Sequence, residues 1–248
     1  RQALKRLGRA RNEPYRFAAA GTGVAFRIGA RSPQELAMRA ATFRLATACL
    51  AVAALSALSP ASARAQAADK PAMHVGDSWA YAQTTDTGKG PNESAWARKV
   101  VAVGADGGFD FQIGERVHKY DAAGNYLDPK GAEYNRTVYK FPMQVGSEWS
   151  YVAKFGTQVM MDQRGSYKVV AYEPLTVPAG TFDCFKVEGK AEAAYRISYQ
   201  QQIKETYWYC PKVNGIAKLQ RETSTTSRDS PSSREKIESV LTRYTPKG

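Results

Sequence analysis

The sequence has few of the residues that catalytic and metal sites most often need. Its 248 residues include only two histidines, His74 and His118, and neither has cysteines or carboxylates at metal-ligand spacing. A G-x-S-x-G nucleophile elbow and a glycine-rich phosphate loop before a helix are both missing. Glu115 and Asp121 form an acid–base set with His118 only if the fold brings them together. We therefore expect no metal, no cofactor and no enzyme activity.

The sequence also lacks an apolar run long enough to cross a membrane. The longest run, residues 45–58, has fourteen residues, whereas a membrane-spanning helix needs about 20. The short basic segment Met38–Arg44 precedes this run, Pro60 ends it, and small residues follow. This order is typical of a secretory signal peptide with cleavage after Ala65 or Ala67. We predict a periplasmic or secreted protein with no stable membrane span after cleavage.

The predicted leader divides the chain into three parts. Residues 1–37 are arginine-rich without hydrophobic periodicity, and we expect a disordered upstream extension outside the mature protein. Residues 38–67 form the signal peptide, and residues 68–248 form a single domain. Residues 1–65 hold eleven of the 35 basic and two of the 23 acidic side chains. The remainder keeps 24 basic and 21 acidic side chains, a net charge of +3, so we expect no nucleic-acid partner.

Little cysteine remains once the leader is removed. Cys49 lies within the leader, so Cys184 and Cys210 are the cysteines expected in the mature protein. Each lies in a segment rich in aromatic and β-branched residues, and the two sulfurs meet if these strands pair or face each other. In an exported protein we expect a disulfide. Closing a loop of about 27 residues contributes roughly 3–4 kcal/mol. Two unpaired buried thiols are the alternative.

Helical periodicity is missing too, because no apolar pattern at helical spacing exceeds about ten residues. Turn-forming residues recur about every 8–15 residues, as in all-β proteins. Asn214-Gly215 predicts a hairpin with a two-residue type I′ turn, and Pro211 places that strand end at a sheet edge or bulge. Residues 223–234 predict an exposed loop. We predict an all-β fold: one antiparallel, strongly curved sheet, a half-barrel or open barrel, of roughly 10–12 strands.

Aromatic residues are what the sequence has in plenty. The pattern V-G-x-x-W-x-Y occurs at residues 75–81 and again at 145–151, by chance or by internal duplication. Strand alternation places the Trp and Tyr of each copy on one face, and Tyr207 and Tyr209 together on one face. These side chains form either a plain β core or an open apolar face. The candidate ligand-binding residues are Trp79, Tyr81, Trp149, Tyr151, Tyr207 and Tyr209.

Three motifs together resemble those of an exported, TapB-like bacterial family of unknown function. They are the two V-G-x-x-W-x-Y copies, VPAGTF at residues 177–182, and YWYCPKVNG at residues 207–215. The resemblance covers about residues 73–222 and implies a curved antiparallel sheet similar to the half-barrels of periplasmic lipoprotein carriers. Such carriers close their cavity with helices, and no comparable helix is predicted here.

Two functions from different classes remain open. The first is a non-catalytic exported protein that binds a hydrophobic or lipid-like ligand on the concave face of its sheet. The alternative is an envelope or secretion accessory module that binds a protein partner through a sheet edge. A cavity lined by the aromatic residues favours the first. A filled core with a long unpaired edge favours the second.

Overall fold

The structure, a computed structural model, describes residues 66–155, 161–195, 198–228 and 230–248. The upstream extension, Cys49 and nearly all of the predicted signal peptide lie outside these ranges. The strands are β1 Ala67–Ala68, β2 Ser78–Asp86, β3 Pro91–Val103, β4 Phe109–Ile113, β5 Arg116–Tyr120, β6 Met143–Gln144, β7 Glu148–Phe155, β8 Met161–Val177, β9 Gly180–Tyr195, β10 Tyr199–Cys210, β11 Gly215–Ser227 and β12 Ser233–Thr245. Two 3-10 turns, η1 Ala132–Tyr134 and η2 Pro211–Val213, accompany them. The described residues contain no helix that is long and apolar enough to span a bilayer.

Ten of the strands form one antiparallel sheet, which confirms the predicted fold class. Their order is β5-β4-β3-β2-β12-β11-β10-β9-β8-β7, while β1 and β6 form a separate two-residue pair. Across the described ranges β5 and β7 are the two edges and do not pair with each other, so the sheet stays open. Bulges interrupt the register in β3, β8, β11 and β12. Such bulges bend and twist strands, as a half-barrel requires.

The two V-G-x-x-W-x-Y copies fold into the same turn. In each copy the glycine has positive φ, +100° at Gly76 and +91° at Gly146, a conformation that glycine adopts without strain. The matching backbone hydrogen bonds are Gly76–Val100 (2.8 Å) and Gly146–Val169 (2.9 Å), Val100–Asp77 (2.9 Å) and Val169–Ser147 (2.9 Å), and Asp77–His74 (3.0 Å) and Ser147–Gln144 (3.0 Å). Strands β2–β5 and β7–β10 also follow each other in the same direction along the sheet. These matches favour internal duplication over chance.

The predicted hairpin of β10 and β11 is present, but its two-residue turn was wrong. Pro211–Val213 forms the 3-10 turn η2, and Asn214 alone has positive φ, at 48°. Gly215 already pairs with Cys210 in the sheet. A Cβ at Gly215 would lie 2.8 Å from Arg98 Nη2, so close packing is the reason for glycine. Pro211 lies just beyond an interior strand, and the bulge is opposite Trp208 and Tyr209.

The predicted loop at residues 223–234 was also wrong over most of its length. Residues 223–227 continue β11 and pair with β10, and β12 begins at Ser233. The segment contains three threonines, whose branched side chains suit a half-exposed strand. Polarity alone therefore gave the wrong prediction, because a strand with two partners can carry polar side chains.

One connection crosses the inner, aromatic face of the sheet. We call it the strap and define it as residues 121–142, between β5 and β6. Asn125 fixes its shape, because its Oδ1 accepts hydrogen bonds from the N–H groups of Val138 and Tyr139, both at 2.8 Å. The Tyr139 ring packs edge-on against Tyr207 and Tyr209. The strap therefore packs on the inner face of β10 and fills space there that an open half-barrel would leave empty.

Candidate functional site

The six aromatic residues predicted to bind a ligand are all buried. Their exposed fractions run from 0% at Tyr207 to 7% at Trp149 and Tyr151. Trp79 and Tyr81 belong to one hydrophobic cluster, and the other four belong to a second cluster. The structure thus brings them to the inner face but packs them into the core. Their ligand-binding role stays a prediction.

In the first cluster, hydrogen bonds and ring stacking fix Trp79 and Tyr81. The Trp79 indole N–H donates to the Val213 carbonyl at 2.7 Å, and the Tyr81 hydroxyl donates to the Ile216 carbonyl at 2.9 Å. The Tyr81 ring stacks on Trp96 with centroids 4.4 Å apart. Because both polar ends are satisfied inside the protein, these rings serve the core.

In the second cluster, tyrosines lie over glycines on the neighbouring strand. Tyr151 is the register partner of Gly165, and Tyr167 is the partner of Gly189. A Cβ at Gly165 would lie 2.3 Å from the Tyr151 ring, and one at Gly189 would lie 2.4 Å from the Tyr167 ring. Only glycine leaves room for the ring to lie flat across the strand. This arrangement directs the Tyr167 hydroxyl past Gly189 to the next strand, β10.

The Tyr167 hydroxyl there meets a buried carboxylate, Glu205, whose side chain is only 4% exposed. Tyr167 donates to Glu205 Oε1 at 2.5 Å, and Arg221 Nε donates to Oε2 at 2.8 Å. Arg136, from the strap, places Nη2 3.7 Å from Oε1 and also donates to the hydroxyls of Tyr151 and Tyr167. We call these five residues the Glu205 cluster.

The charge balance of the Glu205 cluster keeps the carboxylate ionised. Burial raises the pKa of Glu205, but the Arg221 charge, the Tyr167 hydrogen bond and the Arg136 charge together hold it below its ordinary value. Burial and the neighbouring Glu205 charge raise the pKa of Tyr167. The cluster therefore joins β8, β10, β11 and the strap through a paired, ionised centre, which is a structural role.

Cys184 and Cys210 form the predicted disulfide. Cys184 on β9 and Cys210 on β10 have Cα atoms 4.2 Å apart. Both side chains are fully buried. The bond joins neighbouring strands immediately before the η2 turn, so it ties the end of the hairpin to β9.

A large groove crosses the sheet on the side of its outward-facing residues. The inward-facing row between them also contributes to its lining: Trp149, Tyr167, Gly189, Glu205, Arg221 and Ile237. It has a volume of 1090 Å³ and crosses seven strands, from β7 to β2. The register places its outward side chains in two rows, which point away from the aromatic core. The first row is Glu148, Lys168, Glu188, Thr206, Gln220, Glu238 and Thr84, and the second is Ser150, Ser166, Lys190, Lys204, Glu222, Lys236 and Asp86.

The two rows of this groove carry charges of both signs. The two rows contain five carboxylates and four lysines, interspersed with hydroxyl and amide side chains. Some of the charges already pair across strands, as Lys168 does with Glu148 at 2.6 Å. Trp208 lies two residues beyond Thr206 on β10, partly buried against the first cluster, with Lys186 and Lys218 each 5.7 Å from its ring. The ring lies next to the groove rather than in its lining.

The histidines lie apart from the groove and the Glu205 cluster. His74 Nδ1 is 3.7 Å from the buried carboxylate of Asp77, which also accepts hydrogen bonds from the backbone N–H groups of His74 and Lys247. His118 is half-buried beside the Tyr126 ring. Within the part of the chain that the structure describes, no group of three or more His, Cys, Asp or Glu residues is arranged to hold a metal ion.

Comparison with known proteins gives only distant likenesses. No protein-family model matches the chain, and no curated protein matches it either. Among solved structures, the chain is similar to a protein from Bacteroides fragilis assigned as exported with a YmcC-like fold (13% identity, 72% of this chain and 99% of that chain, TM-score 0.35). It is also similar to a protein from Parabacteroides distasonis assigned as a lipoprotein (15%, 73% and 100%, 0.40), and to the hypothetical lipoprotein YmcC from Escherichia coli (9%, 68% and 86%, 0.36). At these scores the likenesses assign neither architecture nor role to this chain.

Sequence reasoning missed the buried charges. Glu205 lies in the polar segment before the hairpin, yet it is two residues from both Ile203 and Tyr207 in β10. Its side chain therefore shares their face, which points to the core. Arg98 is likewise two residues from both Trp96 and Val100 in β3. The signal was present as alternation, but it became visible only once the strand register was known.

Proposed function

We propose that this protein is a non-catalytic, exported binding module whose partner is another protein, held along the groove. The observation that carries this proposal is the groove itself, with 1090 Å³ of space lined by two rows of side chains from seven strands. It is a concave surface with many hydrogen-bonding groups, set among the aliphatic stems of its lysines and carboxylates and the side chains of Trp149, Tyr167 and Ile237. A polypeptide, which carries both polar and apolar groups, can match such a surface.

The mixture of charges favours a polypeptide over a nucleic acid as the partner. Five carboxylates and four lysines are interspersed along the groove, so charges of both signs lie close to one another. A nucleic acid or another uniform polyanion would meet repulsion from the carboxylates. A polypeptide carries both signs and can match such a pattern, which gives specificity and fixes register.

Trp208 supplies the anchor that a protein interface usually requires. Binding energy in interfaces concentrates on a few residues, and tryptophan is enriched among them. Trp208 is partly exposed, and its indole N–H donates to Glu173 Oε1 at 2.8 Å, which fixes the ring. A partner segment that extends from the groove past Thr206 along β10 reaches this ring.

Export is supported by the leader pattern at residues 38–67 and by the Cys184–Cys210 disulfide. Disulfides persist in oxidising compartments such as the bacterial periplasm. The periplasmic location, the TapB-like assignment and the absence of enzyme activity stay predictions. The apolar-ligand function has less support, because the six aromatic side chains pack against one another and against the strap.

Site-specific photo-crosslinking in the periplasm of a bacterial host tests the proposal. A photoreactive residue at Thr206 should capture a protein, whereas one at Val117, exposed on the distant edge strand β5, should not. The double variant Lys190→Glu/Lys204→Glu reverses the charge in the middle of the groove and should abolish capture. Lys99→Glu/Lys119→Glu changes the net charge equally elsewhere and should leave capture intact.

Two results would contradict the proposal that a partner binds in the groove. One is equal capture at Thr206 and Val117, and the other is capture that is insensitive to the Lys190 and Lys204 changes. Native mass spectrometry of the mature chain provides the second arm. A lipid-sized mass that is lost on denaturation would replace the protein-partner proposal with the apolar-ligand function.

A further inference from the structure

Arg98, in the first half of the sheet, has an unusual environment. Its guanidinium carbon lies 4.4 Å from the ring centroid of Phe111, 5.0 Å from Trp79 and 5.8 Å from Tyr81. The rings attract the cation through their π faces. They provide no negative charge, however, and the nearby Tyr81 hydroxyl, whose pKa burial raises, is neutral. The result is a cation enclosed by aromatic rings.

Two hydrogen-bond donors in this environment have no acceptor. Across the described residues, Trp96 Nε1 and Arg98 Nε are buried without a hydrogen-bond partner, and no carboxylate forms an ion pair with Arg98. Trp96 and Arg98 are two residues apart on β3, so their side chains share a face. Leaving buried donors unsatisfied is costly, which makes such groups candidates for ligand contacts.

The charge of Arg98 also affects the pKa values of the tyrosines around it. Burial raises the pKa values of Tyr81, Tyr120, Tyr139 and Tyr209, and in each case the Arg98 charge acts in the opposite direction. In the Glu205 cluster, the Glu205 carboxylate pairs with both arginines and offsets their positive charge. Around Arg98 the corresponding anion is missing among the described groups.

Solvent can reach this environment from outside. Arg98 and Trp96 are each half-buried, as are the neighbouring Ile113 and Tyr120. Arg98 Nη2 lies beside the buried Gly215, where an added Cβ would be 2.8 Å away, so this end of the guanidinium faces the protein interior. The unsatisfied Arg98 Nε and Trp96 indole N–H are the donors left for a small ligand.

We propose that Arg98 and Trp96 bind an oxyanion, the carboxylate or phosphate group of a small ligand. The positively charged guanidinium donates to either group through Nε. The Trp96 indole N–H is the next donor along the same strand. Rings that exclude water strengthen each of these bonds. Neither Arg98 nor Trp96 lines the groove, so this site is independent of it.

Tryptophan fluorescence provides the test, because Trp79 and Trp96 flank the site. The folded mature chain is titrated with acetate and, separately, with inorganic phosphate in a buffer without other small oxyanions. We expect a saturable change with at least one of them, and the stronger binder identifies the group. Arg98→Met should abolish it. Arg243→Met, which removes an exposed arginine on β12, should leave it unchanged.

If Arg98→Met does not fold, as judged by circular dichroism, two milder variants test the binding proposal. Trp96→Phe keeps the ring but removes the N–H, and Arg98→Lys keeps the charge but removes the Nε–H donor. Each should weaken binding by about tenfold. The proposal is overturned if neither probe gives a saturable change, or if these variants titrate like the unmodified protein.

Discussion

The two halves of the sheet begin with the same turn but surround their charged side chains differently. In the first half, β2–β5, Arg98 faces aromatic rings and no carboxylate. In the second half, β7–β10, the Glu205 carboxylate of β10 accepts from Tyr167 and pairs with Arg221 of the adjacent β11 and Arg136 of the strap. The backbone frame of the two halves is therefore shared, while their buried chemistry is not. The duplicated turn sets where strands start, and single residues then decide what each half can do.

Removing the Glu205 carboxylate should produce the largest difference between the halves. Glu205→Ala leaves Arg136, Arg221 and the Tyr167 hydroxyl without their shared partner. We expect a loss of about 3–5 kcal/mol in the free energy of unfolding, measured in urea. Arg98→Met should cost less, because it leaves no carboxylate behind. Glu148→Ala, which breaks an exposed pair with Lys168, is the control and should change stability little. Equal losses for Glu205→Ala and Arg98→Met would show that the two halves do not differ in how strongly their charged residues stabilise the fold.

Removing the disulfide should weaken the second half selectively. Cys184→Ala/Cys210→Ala releases the tie between β9 and β10, and we expect a loss of roughly 3–4 kcal/mol. Hydrogen exchange in the folded variant should rise in β9 and β10 more than in β2–β4. Reductant should lower the thermal midpoint of the unmodified protein but not that of the variant. Uniform exchange in both halves would show that the bond stabilises the sheet as a whole.

Acid should reduce the contribution of the Glu205 cluster. The pKa of Glu205 lies below its ordinary value of 4.5 in the folded protein, so ionised Glu205 stabilises the fold at neutral pH. This contribution is lost as the pH falls below 4.5 and passes through the lowered folded-state pKa. The stability difference between the unmodified protein and Glu205→Gln should therefore narrow in acid. A difference that stays constant with pH would rule out ionisation as its source.

The smallest effect should come from the two turn glycines, where the halves are alike. Gly76→Ala and Gly146→Ala each place a side chain at positive φ, at a cost of about 1 kcal/mol. A Cβ at Gly76 would also lie 2.9 Å from the flexible Lys247 side chain, whereas no atom lies within 4 Å at Gly146. The two losses should thus be similar, with Gly76→Ala slightly larger. A large excess at either site would mean that the turns are not equivalent.

Local patterns predicted most of the fold. Turn spacing and missing helical periodicity gave the all-β class, and the paired cysteines gave the disulfide. Asn214-Gly215 marked the hairpin, but Pro211–Val213 forms the turn as η2 and Gly215 already pairs with Cys210 in the sheet. Residues 223–227 joined β11 because two neighbouring strands were available to pair, which polarity does not reveal.

The site was less predictable, because it depends on register. Tyr167 reaches Glu205 only since Gly189 lies between them in the sheet, and no short stretch of sequence brings these three together. The groove likewise consists of residues that are isolated surface charges in the sequence. They become two rows only when seven strands align.

The attachment of the strap has an evolutionary consequence. The Trp149 indole and the Tyr207 hydroxyl hold the strap by donating to the carbonyls of Thr137 and Val138, at 3.0 Å and 2.7 Å. Every residue type carries a backbone carbonyl, so the side chains at positions 137 and 138 can change without loss of these bonds. At these two contacts selection acts instead on the donors in the sheet. Elsewhere in the strap it acts on the side chains of Asn125, Arg136 and Tyr139, which shape the strap and bind the sheet. Positions 137 and 138 can therefore diverge while the strap keeps the same path.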